Sequence, residues 1–190
     1  MARPRGFEPD DALDALMELF WERGYDSTSM QDVEAATGLK KQSLYRLFGN
    51  KRRMYLKTLN RYDETVLEQS LAVLSKTGDA QQRIGRFFDA GIDMAINRRD
   101  RRGCFVCNAS VDRVQNDLDT QAAVAAMTGK LRAALEDALA ASEPYRSGPE
   151  RRRSMAALLL AVHFGIRVMV RAGLPEAALR EAAAEAVAAV

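Results

Sequence analysis

Between Lys40 and Arg61 the chain carries eight bases (Lys40, Lys41, Arg46, Lys51, Arg52, Arg53, Lys57 and Arg61) and no acid. Cations at that density form an electrostatic footprint for a polyanion, although a solvated helix face also runs to charge. Upstream, Glu8 to Glu34 holds nine acids and one base, Arg23, so the formal charge of +2 conceals a segregation. That balance excludes a globally basic, histone-like binder and leaves room for a local patch. Inside the block, residues 41–48 read as a short helix. Leu44, Leu47 and Phe48 share its inner face, Gln42 and Arg46 point the other way, and Lys41, Ser43 and Tyr45 flank them. Amide, guanidinium, hydroxyl and phenol groups on one outer face can donate to base edges and phosphates. An ordinary polar surface has the same periodicity.

Lys51, Arg52 and Arg53 fall in the first turn of the next helix. Cations there oppose the helix dipole by about 0.3–1 kcal/mol each. A phosphate approaching that end would reverse the sign. Arg151, Arg152 and Arg153 break the same rule at a later helix, so the placement acquires meaning only from its neighbours.

A second group of reactive residue types is Cys104 and Cys107, three apart on one helix face and just downstream of Arg98, Arg99, Arg101 and Arg102. Four readings stay open. The pair can be small core residues. It can be a reactive thiol switch, because a helix N-terminus and nearby arginines favour the thiolate. It can be part of a metal site, for which two cysteines and one distant histidine supply too few ligands. It can be a thioredoxin-like catalytic pair, which needs a βαβ unit. His163, the one histidine, reads either as a semi-buried core residue or as a hydrogen-bond partner lining a pocket. No metal and no cofactor are expected.

The elements that must position these groups are helical. Strand signals are nearly absent, and apolar residues recur at three and four. Leu13, Leu16, Met17, Phe20 and Trp21 form the stripe of a first helix with Pro9, Asp10 and Asp11 at its start and Gly24 at its end. A second helix runs from about Met30 to Ala36, with Ser29 as N-cap and Asp32 closing a capping box in acidic form. Gly38 ends it, and a third spans Lys41–Phe48. Gly49 breaks the chain, and Asn50 caps a long fourth helix that fades near Ser75. Five longer helices follow, over about 80–97, 104–114, 118–141, 150–172 and 175–189, with Ser147-Gly148-Pro149-Glu150 as another capping box. The expectation is an all-α chain of about nine helices, in which residues 29–48 have helix-turn-helix form.

The stretch Gly24-Tyr25-Asp26-Ser27-Thr28-Ser29-Met30-Gln31-Asp32-Val33, then Gly38-Leu39, then Ser43-Leu44-Tyr45-Arg46-Leu47-Phe48-Gly49-Asn50-Lys51 closely resembles the N-terminal domain of the tetracycline-repressor (TetR) family. The resemblance covers about residues 8–62. Arg102-Gly103-Cys104-Phe105, Gly165-Ile166-Arg167-Val168 and Arg171-Ala172-Gly173 look like one branch of the family's C-terminal domains. The resemblance implies that Thr28 and Ser29 touch phosphate and that Gln31 reaches a base. Lys41, Gln42 and Ser43 would lie over base edges, Tyr45 on phosphate or sugar, and Lys51 on a phosphate. Lys40 departs from the small polar N-cap usual in the family and would itself sit on the phosphates. Arg3 and Arg5 read either as a frayed terminus or as a minor-groove arm.

The same resemblance implies a helix-turn-helix domain over residues 1–62 and an effector-binding, dimerisation domain over 63–190. The C-terminal half offers a dimer surface near 150–172 and 175–189, where Met155, Leu158, Leu159, Val162, Ile166, Met169 and Val170 recur at helical spacing and alanine dominates the last helix. Burial within the subunit would give the same pattern. Phe87, Phe88, Met94, Ile96, Phe105, Val111, Met127 and Leu131 form a stripe that is either plain core or the wall of an inducer cavity. Of these, Phe87, Phe88, Met94, Phe105 and Met127, with His163, are the pocket candidates.

The expected function is a homodimeric, ligand-responsive regulator, more often repressor than activator, on a palindromic double-stranded DNA operator. A thiol-sensing regulator is the alternative. The rivals from other classes are a redox enzyme using Cys104 and Cys107, and a structural helical protein. The N-terminus has no apolar signal core, and the longest uninterrupted apolar run, Met155 to Val162, is short of a span. The expectation is a cytoplasmic protein with reduced thiols and no membrane partner.

Overall fold

The computed structural model describes residues 9–97 and 99–190. Arg3, Arg5 and Arg98 therefore lie outside the described residues. Among the described residues the chain is all-helical, with nine α-helices when the α4 rod and its continuation are counted as one. They are α1 (Pro9–Arg23), α2 (Met30–Thr37), α3 (Lys41–Phe48), α4 (Lys51–Tyr62), α5 (Ala80–Asn97), α6 (Phe105–Asp112), α7 (Leu118–Leu139), α8 (Pro149–Ala172) and α9 (Glu176–Ala188). α4 continues through a π-helical turn (Asp63–Leu67) into a further α-helical stretch (Glu68–Leu74), and a 3-10 turn (Val114–Asn116) joins α6 to α7.

The short helices of the N-terminal unit are held by their ends. The Ser29 hydroxyl accepts from the Asp32 N–H at 3.1 Å, and the Asp32 carboxylate accepts from the Ser29 N–H at 2.8 Å. That is the capping box in full. Gly38 ends α2 at φ 70°. Lys40 gives α3 no side-chain cap. Glu34, reaching across from α2, accepts from the Lys41 N–H at 2.7 Å instead, so the missing cap is supplied by the partner helix and fixes the angle between the two. Asn50 caps α4 through the Arg53 N–H at 2.9 Å.

One expected cap does not form. Pro149 is the first residue of α8 and Gly148 its N-cap. Ser147 is thus one position too early, and its hydroxyl donates to Glu143 at 2.6 Å.

Two apolar cores divide the chain. The first joins α1–α4 to α6 and the start of α7, through Leu16, Phe20, Leu44, Met54, Tyr55, Phe105 and Met127 among others. The second joins the end of the α4 rod to α5, α7, α8 and α9. Edge-to-face rings run through the first core, with Phe20–Tyr55 at 5.3 Å, Tyr55–Phe105 at 5.6 Å and Phe105–Tyr62 at 5.7 Å. α6 is therefore welded to the helix-turn-helix unit although its residues lie far along the chain.

α8 carries apolar residues on its uncovered side as well as on its buried one. By length and composition it could cross a membrane, with a mean hydropathy of 1.6 over its most apolar window, of which 22% is buried. Ala156, Leu159, Ile166 and Val170 face the core. Leu158, at 48% exposure, and Val168, at 58%, face out, with Ala161 and Gly165 between them also exposed. The expected dimer stripe therefore splits: Leu159, Ile166 and Val170 belong to the protomer's own core.

Candidate nucleic-acid interface and effector cavity

The outer face of α3 is open. Lys41, Gln42, Tyr45 and Arg46 are exposed, Ser43 is half-buried, and Leu44 and Phe48 are sealed beneath them. The Lys41 ammonium sits 5.7 Å from the Tyr45 ring centroid. Lys40 at the head of α3, with Ser29 and Gln31 at the start of α2, is also exposed. Two expectations fail here. Leu47, assigned to the inner face, is 37% exposed, because an eight-residue helix over a narrow partner covers only the Leu44–Phe48 line. Thr28 does not join the outer face: it is 1% exposed and its hydroxyl donates to the Gly24 carbonyl at 2.7 Å, bracing the turn.

The eight cations of the block separate in space. Arg52 forms two bonds to Asp117, at 2.9 and 2.7 Å, and also reaches Asp119. Arg61 does the same to Asp14. These two are structural, and the first turn of α4 tolerates Arg52 because carboxylates from α7 neutralise it. Lys40, Lys41, Arg46, Lys51, Arg53 and Lys57 make no ion pair among the described residues. Lys51 lies 4.3 Å from the Tyr25 centroid, and the Arg113 guanidinium lies 4.2 Å from the same ring. Partial burial, with the Arg113 charge adding to it, lowers the Lys51 pKa. A half-dehydrated ammonium at a helix N-terminus beside a second cation is poised for an anion.

Gly24 makes the junction possible. It adopts φ +80°, and a Cβ there would meet the Asp112 carboxylate of α6 at 2.7 Å. The first helix can therefore end, and α6 approach, only at a residue without a side chain.

Under this unit lies a cavity of about 240 Å³, walled by the α4 rod, α5, the start of α6, α7 and α8. Cys104, not among the pocket candidates, lines it, and Phe87, Met94, Met127 and His163 line it as expected. Phe88 and Phe105 do not. Phe88 turns toward α9, beside Ala183 and Val187, and Phe105 is spent in the ring ladder. Ile96 and Val111 leave the stripe altogether, Val111 being 83% exposed. Sequence reasoning missed Tyr62, Val66, Gln69, Ser70 and Arg167, which complete the wall. Four of these come from the segment around the π turn, whose side-chain directions a plain 3.6-residue period misassigns.

Cys104 stands in this wall, with Cys107 in the first turn of the helix that it caps. Gly103, at φ +74° and packed so that a Cβ would stand 2.9 Å from the Arg167 carbonyl, sets Cys104 as N-cap of α6. The Tyr62 hydroxyl donates to Cys104 Sγ at 3.6 Å. Hydrogen bonding from the Cys107 thiol, then from His163, holds the Cys104 thiol well below its ordinary range against the cost of burial. The Cys107 thiol is pushed up by the same contact and by burial. His163, distant in sequence, is thus adjacent in space, and its ring lies 5.0 Å from that of Phe87. Arg167 donates to the Gly91 carbonyl at 3.1 Å and to the Gly103 carbonyl. Among the described residues, no three His, Cys, Asp or Glu side chains are grouped to hold a metal ion.

The family described as "Bacterial regulatory proteins, tetR family" matches residues 12–58. The HTH-type transcriptional repressor ComR of Escherichia coli is 33% identical over 107 residues, 56% of this chain and 51% of ComR. YezE of Bacillus subtilis, an uncharacterised HTH-type transcriptional regulator, is 27% identical over 117 residues, 62% of this chain and 60% of YezE. The chain thus spans about half the length of ComR and somewhat more of YezE. Among solved structures, a cysteine mutant of the TetR family regulator CifR, complexed with 26-bp double-strand operator DNA, superposes with a TM-score of 0.84 at 22% identity, covering 99% of both chains. The sequence match falls on the helices that carry the open cationic face, so residues 12–58 belong to the tetR family of bacterial regulatory proteins, and the structural match shows that the whole chain has the fold of such regulators.

Proposed function

We infer that the protein is a homodimeric transcriptional repressor of the cytoplasm that holds a palindromic DNA operator and is released by a small molecule in its C-terminal cavity. The observation that carries this reading is the α3 outer face, where Lys41, Gln42, Tyr45 and Arg46 stand exposed beside cations that have no carboxylate partner among the described residues. Donors on a short exposed helix fit the major groove, and the flanking cations fit its phosphate rims. Ser29, Gln31, Lys40, Ser43 and Lys51 extend the contact; Thr28 acts by shaping the turn. ComR, named a repressor, supports the sign of regulation, and the operator complex of CifR supports the partner.

A lone helix-turn-helix binds weakly, and two joined by a two-fold axis gain avidity and read a palindrome. The uncovered side of α8, Leu158-Ala161-Gly165-Val168, with the alanines of α9, is the proposed interface. Residues 1–62 would read DNA, and 63–190 would sense and dimerise. Release needs little energy: a hundredfold loss of affinity corresponds to about 2.7 kcal/mol of coupling between cavity and spacing of the recognition helices. The test is selection from a random DNA pool at two salt concentrations. A regulator enriches a palindrome and loses affinity steeply with salt; a pool that stays unenriched rejects the reading.

A second reading is favoured by the Cys104 environment. With its thiol depressed and facing the cavity, Cys104 would be the trigger for thiol-reactive compounds. Cys104→Ser should then abolish release by such compounds while leaving operator affinity intact, and a variant that still responds would return Cys104 to the core.

A further inference from the structure

Cys104 and Cys107 have a property that a single reactive thiol lacks. Cys104 is the N-cap of α6 and Cys107 lies in its first turn, so one rigid turn of helix fixes both sulfurs. The N-cap and the third residue of a helix lie side by side, each thiol shifts the acidity of the other, and neither is in a disulfide. Cys104 lines the cavity, whereas Cys107 is not part of its wall and stands behind it, partly buried. Two sulfurs on one helical turn, at its N-cap and third position, make a bidentate soft donor.

The surroundings restrict what such a donor can hold. Zinc and its kin want four ligands, and among the described residues no third His, Cys, Asp or Glu side chain groups with the pair to hold a metal ion. A centre that accepts two thiolates and already carries a carbon substituent needs no third protein ligand. The cavity supplies room for that substituent. At about 240 Å³ it exceeds the roughly 150 Å³ that admits a benzene ring, and Phe87, Met94, Phe164 and the His163 ring offer an apolar, aromatic wall beside the sulfurs.

We propose that Cys104 and Cys107 form a chelating site for trivalent organoarsenicals, with arsenic bridging the two sulfurs and its organic group in the cavity. The reaction is a condensation. An R–As(OH)2 species loses both hydroxyl groups, the two thiols lose their protons, two As–S bonds form, and two waters leave. No electrons are transferred. Cys104 attacks first because it faces the cavity, and Cys107 closes the ring. The second bond forms within one molecule, so the chelate gains about 10²-fold or more over a single As–S bond.

The site lies in the cavity assigned above to the effector, but its test needs no DNA. Reduced full-length protein is titrated with phenylarsine oxide under anaerobic conditions, followed by intact mass and by counting free thiols. The expected result is one phenylarsenic group per chain, both thiols lost together, and release by an added small dithiol but not by a monothiol at equal concentration. Cys107→Ser, which leaves the cavity wall untouched, should weaken binding at least about a hundredfold, and Cys104→Ser equally. One thiol remaining free at saturation, two arsenicals per chain, or a Cys107→Ser variant that binds as tightly as the parent would overturn the proposal. The first two observations are made on the unaltered chain, so a misfolded variant cannot decide the matter. Failure here leaves the DNA reading standing, and failure to select an operator leaves this site standing.

Discussion

Arg52 and Asp117, 65 residues apart, are joined by two parallel hydrogen bonds of 2.9 and 2.7 Å between guanidinium and carboxylate. Asp117 also caps α7, accepting from the Asp119 N–H at 3.1 Å and the Thr120 N–H at 3.4 Å. One side chain, 1% exposed, thus ties the head of α4 to the head of α7, and the helix-turn-helix unit to the rest of the chain.

That double duty separates two substitutions. Asp117→Asn keeps an acceptor for the cap and loses the charge on Arg52; Asp117→Ala loses both and should cost a further ~0.5–2 kcal/mol, the usual worth of an N-cap. Arg52 holds the Asp117 carboxyl below its ordinary pKa. A depressed carboxylate stabilises the fold fully above its unfolded value, about 3.9, and the gain disappears as pH falls through the folded value. Thermal unfolding followed from pH 6 downward should show the parent losing this increment below about pH 4 and Asp117→Asn losing none.

Lys51 touches Tyr25 and stands beside Arg113. Lys51→Ala should weaken binding to all DNA sequences alike and lower the slope of log affinity against log salt by about one unit. Titration at three salt concentrations measures it, and an unaltered slope would remove Lys51 from the phosphates.

Gln42 is exposed on the line of α3 opposite Leu44 and Phe48. Gln42→Ala should change preference at one position in each half-site, by about 1–3 kcal/mol, with nonspecific affinity little altered. Equal losses on specific and random DNA would deny it a reading role.

Leu158 projects from the uncovered side of α8. Leu158→Glu should leave each protomer folded, because the side chain contributes nothing to the core, and should shift sedimentation from dimer to monomer. Operator affinity should fall by about 10²-fold or more as avidity is lost. A variant that remains dimeric would place the interface elsewhere.

Much of the fold was legible because its signals are local. Ser29 with Asp32, Asn50, and Gly173 at the end of α8 each announce a boundary within a few residues, and the structure places those boundaries there. Where the outcome rests on distant partners, the reading failed. Nothing near Arg52 in sequence announces Asp117, so a structural cation was counted with those facing outward. Thr28 turned inward because the Gly24 carbonyl lies within its reach. Phe88 and Phe105 were indistinguishable from Phe87 by spacing, and only the packing of α9 and the ring ladder separates them. Glu34 replaces the cap that Lys40 lacks, a compensation visible only once α2 and α3 are crossed.

The π turn at Asp63–Leu67 inserts one residue's worth of winding into the rod between Tyr62 and Glu68. An α-helix advances about 100° per residue, so the two ends of the rod are clocked against each other by that angle relative to an uninterrupted helix. Tyr62 can therefore aim at Cys104 while Ser70 and Val73, farther along, still look into the same cavity. Deleting a single residue from the turn would relax the rod to ordinary winding with its two ends still in phase, whereas ordinary winding over the unchanged length would swing one end by about 100° and blind the cavity wall without altering a residue of the recognition helix.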